Sequence, residues 1–251
     1  MCKKRMWFGA ALSLAVLYTG LCLGRAHAGT ITFSTPLSAS AGSLPVDAEA
    51  VFVTSADTLT LTLSNLLSNP ESVDQNLSDL GFTVSTGQTA GTLTNSSSRE
   101  RTIASDGTYS VGSVVPTGWQ LGSDFQLGAA FKVDVLAPAS AGPTHLIIGG
   151  PDSTDFYGNA DLSINGNRAH NPFLAGDVTF TLNILSLTDA SSISSAFFSF
   201  GTNEDVQRSW RIGTRRLGTR TGIDRHPGVR HSLHGWLCTP AALCLAGLAE
   251  R

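Results

Sequence analysis

Between residues 29 and 202 the chain has no cysteine; its four cysteines are Cys2, Cys22, Cys238 and Cys244. That stretch must fold without disulfides, held by its core alone, which its length permits. Charge is scarce as well, at 14% of residues, and helical periodicity is almost missing. No G-x-S-x-G elbow, H-E-x-x-H pair, Walker loop, dinucleotide fingerprint or paired-cysteine metal spacing occurs. These absences exclude a disulfide-stapled scaffold and leave the commoner hydrolase, nucleotide and zinc chemistries without the residues they need.

What is present is strand-forming. Hydrophobic residues make up 41% of the chain, and 26 glycines punctuate it. Leu59, Leu61 and Leu63 alternate with Thr60 and Thr62, and Val178, Phe180, Leu182 and Ile184 alternate with Thr179, Thr181 and Asn183. A period of two puts the apolar set on one buried face and the hydroxyls on the other. Strands are expected at 30–34, 46–54, 57–67, 80–85, 101–104, 109–111, 119–121, 125–136, 177–187 and 193–200. Residues 87–101 read as polar and turn-rich, and 73–80 as the one place for a short helical turn. The pairs 46–54/57–67 and 177–187/193–200 have short connections and are expected to form antiparallel hairpins. The fold class is therefore all-β, a single-domain antiparallel β-sandwich of jelly-roll or Ig-like kind over residues 29–202.

Charge divides the chain into three. Residues 29–207 carry 17 acids against Arg99, Arg101, Lys132 and Arg168, a balance of −13. That field argues against nucleic acid as a partner. Residues 1–28 are basic, with Lys3-Lys4-Arg5 ahead of an apolar run and Ala26-His27-Ala28 at its end. This is the pattern of a cleaved signal peptide, with cleavage expected after Ala28 and export as its consequence. An uncleaved anchor is the rival reading, since the run is near the lower limit for spanning a bilayer.

The segment 145–174 is the longest without clean alternation, and it holds His145 and His170, both histidines of the 29–202 domain. With Asp152, Asp155 and Asp161 these could form a metal or acid–base cluster. The spacing fits no known site and lacks an EF-hand rhythm. The competing expectation is that His145 opens a strand and that His170-Asn171 pins the loop to backbone. The candidate binding residues are thus His145, Asp155, Asp161 and His170, with Trp119 as a stacking face for a sugar if exposed, although a lone Trp after Pro116-Thr117-Gly118 is more often core. No cofactor is expected; Ca²⁺ on Asp and Asn side chains is the only metal the composition suggests. A glycosidase-like role for Asp155 and Asp161 is a distant alternative, because nothing fixes two carboxylates at the separation it requires.

The blocks TITFST, LTLTLSNLLSNPESVDQNLSDLGFTVS, GTYSVGSVVPTGWQL, HLIIGGP…YGNADLSINGNRAHNPFL and ISSAFFSFGT cover most of residues 30–202. Together they resemble bacterial exported proteins that carry a PEP-CTERM sorting tail. The resemblance implies secretion, recognition of the tail by an exosortase, an association with surface and exopolysaccharide biology, and no known enzyme activity for the domain itself. The chain departs from that pattern after Thr202. It has no Val-Pro-Glu-Pro, and the apolar stretch 241–249 is too short to span a bilayer. Residues 208–251 hold eight Arg, no Lys, three His and two Trp.

Such a tail on so acidic a domain reads as out-of-frame translation after a frameshift near 203–210, and disorder is expected over 203–251. A genuine basic tail for anionic polysaccharide, and a degenerate sorting signal over 239–251, are the alternatives. The expected function is a non-enzymatic envelope or matrix protein, with a lectin-like carbohydrate-binding module as the alternative. Translating the downstream DNA in the other two frames is expected to reveal Pro-Glu-Pro followed by a hydrophobic helix; its absence from both frames refutes the frameshift.

Overall fold

The three leucines at positions 59, 61 and 63 are fully buried, while Thr60 and Thr62 are half-buried. The same phase governs Ala48, Ala50 and Phe52, all buried, with Glu49, Val51 and Val53 between them partly exposed. The computed structural model describes residues 29–124, 128–136, 142–202 and 208–209. Strands in the first half are β1 (Gly29–Ser34), β2 (Ser40–Ala41), β3 (Leu44–Pro45), β4 (Ala48–Ser55), β5 (Thr58–Asn65), β6 (Leu77–Val84) and β7 (Thr92–Ile103). The second half adds β8 (Tyr109–Pro116), β9 (Gln120–Asp124), β10 (Ala129–Asp134), β11 (Ile147–Ile148), β12 (Phe173–Asn183), β13 (Ile193–Phe200) and β14 (Arg208–Ser209).

Two layers result. One runs β1-β4-β5-β12-β7-β8, all antiparallel neighbours. The other runs β9-β10-β6-β13-β14. The short β11 links them, parallel to β12 and antiparallel to β6 through Ile147. Apolar faces meet between the layers: the Phe52 ring lies 5.2 Å from Phe82, which stacks on Phe131 at 5.3 Å. The protein is an all-β sandwich, and the described residues belong to one compact unit.

The 4–5 hairpin forms as expected, in register from Ala48↔Asn65 to Ser55↔Thr58. The hairpin expected of 177–187 and 193–200 does not. Both edges of β12 are already occupied, by β5 and β11 on one side and β7 on the other. The chain after Asn183 therefore leaves the layer. Ile184 N–H bonds the Asp57 carbonyl, Asp57 N–H bonds Leu187 O, and the Thr54 hydroxyl bonds Ser191 O. These contacts carry the crossing over the end of the β4–β5 hairpin, and β13 then pairs with β6.

Other expectations shift for similar reasons. The stretch 87–101, read as turn-rich, contains most of the 12-residue β7. Its Ser, Thr and Asn side chains offer no alternation, but its backbone is paired on both sides by β12 and β8. The helical turn is only Val73–Gln75, a 3-10 turn closed by a Ser72/Gln75 capping box. Asn76 is extended, and the strand starts one residue later. The strand expected over 125–136 resolves into β10, with Gly128 at φ +73° just before it, and residues 125–127 lie outside those described. Arg208–Ser209 pairs with Phe198 and Ser199. The rest of that tail, and the signal peptide expected over 1–28, lie outside the described residues.

Phe52→Ala would empty the contact between the layers and is expected to destabilise the protein by about 3–5 kcal/mol. Urea unfolding measures it as a lower midpoint at unchanged slope; a loss under about 1 kcal/mol would remove Phe52 from the centre of the core.

Candidate functional site

The crossing from β11 to β12 begins where two backbones touch. A Cβ on Gly149 would sit 1.8 Å from the Leu67 carbonyl oxygen, so only glycine fits. Asn69 N–H bonds Gly150 O at 2.8 Å, and Ser68 Oγ bonds Pro151 O at 2.8 Å. The segment then folds onto its own small core of Tyr157, Ile164 and Phe173 with Ile103, Leu146, Ile148, Val73 and Leu136.

Its acids are engaged one at a time. Asp152 Oδ1 accepts from Thr154 N–H at 2.8 Å, Thr154 Oγ1 at 2.6 Å and Phe156 N–H at 3.2 Å. The Thr154 hydroxyl bond, then the backbone bonds, hold its carboxyl below the usual carboxylate range. Asp161 closes the same kind of turn on Ser163, with N–H at 2.7 Å and Oγ at 2.5 Å. Asp155, at φ +63°, accepts from the Tyr109 hydroxyl, a bond that raises the phenol's pKa. Each carboxylate caps local backbone or a neighbouring side chain, the ordinary behaviour of Asp in tight turns.

The histidines sit apart in role. The His145 ring puts Nδ1 2.9 Å from Thr117 O and Nε2 3.2 Å from Glu100 Oε1. Its N–H bonds Pro172 O, and its carbonyl accepts from Trp119 Nε1 at 2.9 Å. His170 is half-buried, with Nδ1 3.2 Å from Pro143 O. The next residue does more of the pinning. Asn171 Oδ1 accepts from Ile103 N–H at 2.9 Å, and its Nδ2 donates to Asn167 O at 3.0 Å and Ile164 O at 3.2 Å.

Trp119 is corrected outright. It is 4% exposed, its ring centroid lies 5.3 Å from Phe180, and it presents no free face for a sugar. The apolar neighbours on β12 outweigh any surface role for so large a ring.

The structure therefore brings His145 and Trp119 together and leaves Asp155, Asp161 and His170 on separate contacts. Among the described residues no three His, Cys, Asp or Glu side chains converge. Comparison with protein-family models, curated proteins and solved structures finds no match for this chain.

Sequence reasoning missed the residues that organise the segment. The Arg101 guanidinium lies 4.7 Å over the Tyr109 ring and donates to the Tyr157 hydroxyl at 2.6 Å. That hydroxyl donates in turn to Gly149 O at 2.8 Å. Burial pushes the Tyr157 phenol up to about 12, against a partial offset from Arg101. Nothing in the one-dimensional pattern joins Arg101 to Tyr157. The Tyr109-to-Tyr157 edge contact, at 5.6 Å, completes the group.

The raised phenol makes stability fall with alkali. An unfolded tyrosine ionises near pH 10, while folded Tyr157 stays neutral to about 12. Its contribution is complete below pH 10 and is lost as pH rises toward 12. Urea unfolding at stepped pH is expected to show that decline, and Tyr157→Phe to remove most of it; an identical decline in the variant refutes the assignment.

Proposed function

We propose that this is an exported, non-enzymatic protein of the bacterial envelope or extracellular matrix, built on the β-sandwich. The observation that carries the reading is the state of the 145–174 segment. The side chains of Asp152, Asp161, His170 and Asn171, the obvious donors and acceptors for a ligand, are bonded to the chain itself. A group already satisfied by its own backbone has little to gain from a substrate. Among the described residues the large hydrophobics that are exposed, Leu37, Leu162 and Leu185 among them, are all aliphatic. A sugar-binding face usually offers an aromatic ring instead.

Export rests on the basic start, the apolar run and Ala26-His27-Ala28. The resemblance to exosortase-sorted proteins points the same way, with exopolysaccharide and other envelope components as the partner class. An exosortase joins them only if an intact sorting tail exists. Among the described residues no helix is long and apolar enough to cross a membrane.

Expression in a Gram-negative host tests both halves. The mature product is expected outside the cytoplasm with Gly29 as its first residue, and a glycan array is expected to be blank. Cytoplasmic retention with an intact N-terminus removes the export reading. A reproducible array hit moves the protein to the carbohydrate-binding class, and turnover of a glycoside overturns both.

A further inference from the structure

Sheet edges remain the least explained part of the surface. Among the described outer strands, β14 is two residues long, β9 ends on the charged Asp124, and β1 alternates toward the core. β8 differs. Its eight residues, YSVGSVVP, include no charged side chain, and six of them are exposed. Val111 is 49% exposed and Val114 59%. A free, uncharged edge is a template for another strand.

The phase of its hydrogen bonds decides which strand. Ala104 N–H bonds Thr108 O at 2.8 Å, closing the β7–β8 hairpin. Bonded and non-bonded pairs alternate from there. Thr102 and Ser110 are thus a bonded pair, and Val111, opposite Arg101, turns its N–H and C=O outward. The register then slips, from Arg101↔Val111 to Arg99↔Val114, so Gly112 and Ser113 together face Glu100. Past this bulge the bonded pair is Ser98 with Val115, and the next outward peptide groups are those of Val114.

The free edge therefore offers its hydrogen bonds at Tyr109, Val111 and Val114, with a step of three residues across the bulge. A regular strand offers them every two residues, so the bulge spoils pairing with an ordinary edge. A second β8 running antiparallel has the same gap in reverse. Val111 then meets Val114 of the second copy, Val114 meets its Val111, and the two bulges coincide on the axis. Each pair also covers two half-exposed valines.

We propose that β8 pairs edge to edge with β8 of a second copy of this chain, antiparallel about a two-fold axis between Gly112 and Ser113. The contact is isologous and closes at two copies. Tyr109 lies opposite Pro116 at its ends. One strand per side buries less than the roughly 1,200 Å² of a standard interface, so the dimer is weak and its population rises through the micromolar range. The Arg99 guanidinium of each copy, 3.3 Å from Gly112 O, lies beside the axis, so the two repel and association strengthens with salt. The inference goes beyond the envelope role and does not rest on it; a blank or positive glycan array leaves it untouched.

Cysteine cross-linking tests the register. In the full chain with all four native cysteines changed to serine, Val111→Cys and Val114→Cys are made separately. An antiparallel bonded pair has Cα atoms about 5.5 Å apart, within disulfide reach. Mixing the two variants and oxidising is expected to give a cross-linked dimer. Either variant alone is expected to stay mostly monomeric, because like positions are three residues out of register, about 10 Å along the strand.

Val114→Lys, at an exposed position, is expected to keep the melting temperature and abolish the dimer in sedimentation equilibrium. A parent chain that stays monomeric throughout the micromolar range overturns the proposal. Equal cross-linking in the single variants overturns it too, as does a Val114→Lys chain that still dimerises.

Discussion

Hydrogen bonding on both edges of β12 is the constraint on which the rest of the molecule depends. Val178 to Asn183 face β5, Phe173 to Ala175 and Thr179 to Asn183 face β7, and Leu174 also meets β11. A strand saturated in this way cannot accept its own continuation as a hairpin partner. The chain must leave the layer after Asn183, and the backbone bonds around Asp57 direct it over the end of the sandwich. From there β13 reaches β6, and a second sheet comes to lie against the first. The aromatic contact of Phe52 with Phe82 follows from that placement and seals it.

The segment before β12 is shaped by a different need. It must carry the chain from β11 back to the start of β12 while leaving little buried polar backbone unpaired. Asn171 does this for Ile103, Ile164 and Asn167 at once. Asp152 and Asp161 do it for their own turns, and Tyr157 with Arg101 does it for Gly149. The residues that look most chemical in the sequence are thus structural ones. Their types are those of an active site because capping a tight turn and binding a ligand call on the same donors and acceptors.

How much was legible varies by element. Strands with period-two alternation, such as β5, could be read in phase and in length, because the buried face writes itself into every second residue. β7 could not, since Thr, Asn and Ser at 94–98 give no contrast between faces and its stability comes from neighbours on both sides. Trp119 was ambiguous in one dimension, as its surroundings include Phe180, 61 positions away. The candidate site suffered most: His145, Asp155, Asp161 and His170 were correctly seen as polar residues in an irregular segment, but which atoms they bond depends on residues as distant as Glu100 and Tyr109.

The sequence by itself determined the all-β class, the inward faces of the amphipathic strands, the β4–β5 hairpin and the acidic character of the domain. These are local or compositional properties, set by side-chain alternation, short turns and charge counts. Only the tertiary structure decided which strands are neighbours, that β12 and β13 lie in different layers, that Trp119 is core, and that the loop's acids are turn caps. It also decided that β8 ends a layer with a step of three residues in its outward hydrogen bonds. Each of these depends on pairing between distant segments, where one strand's free edge exists only because of what fills the other.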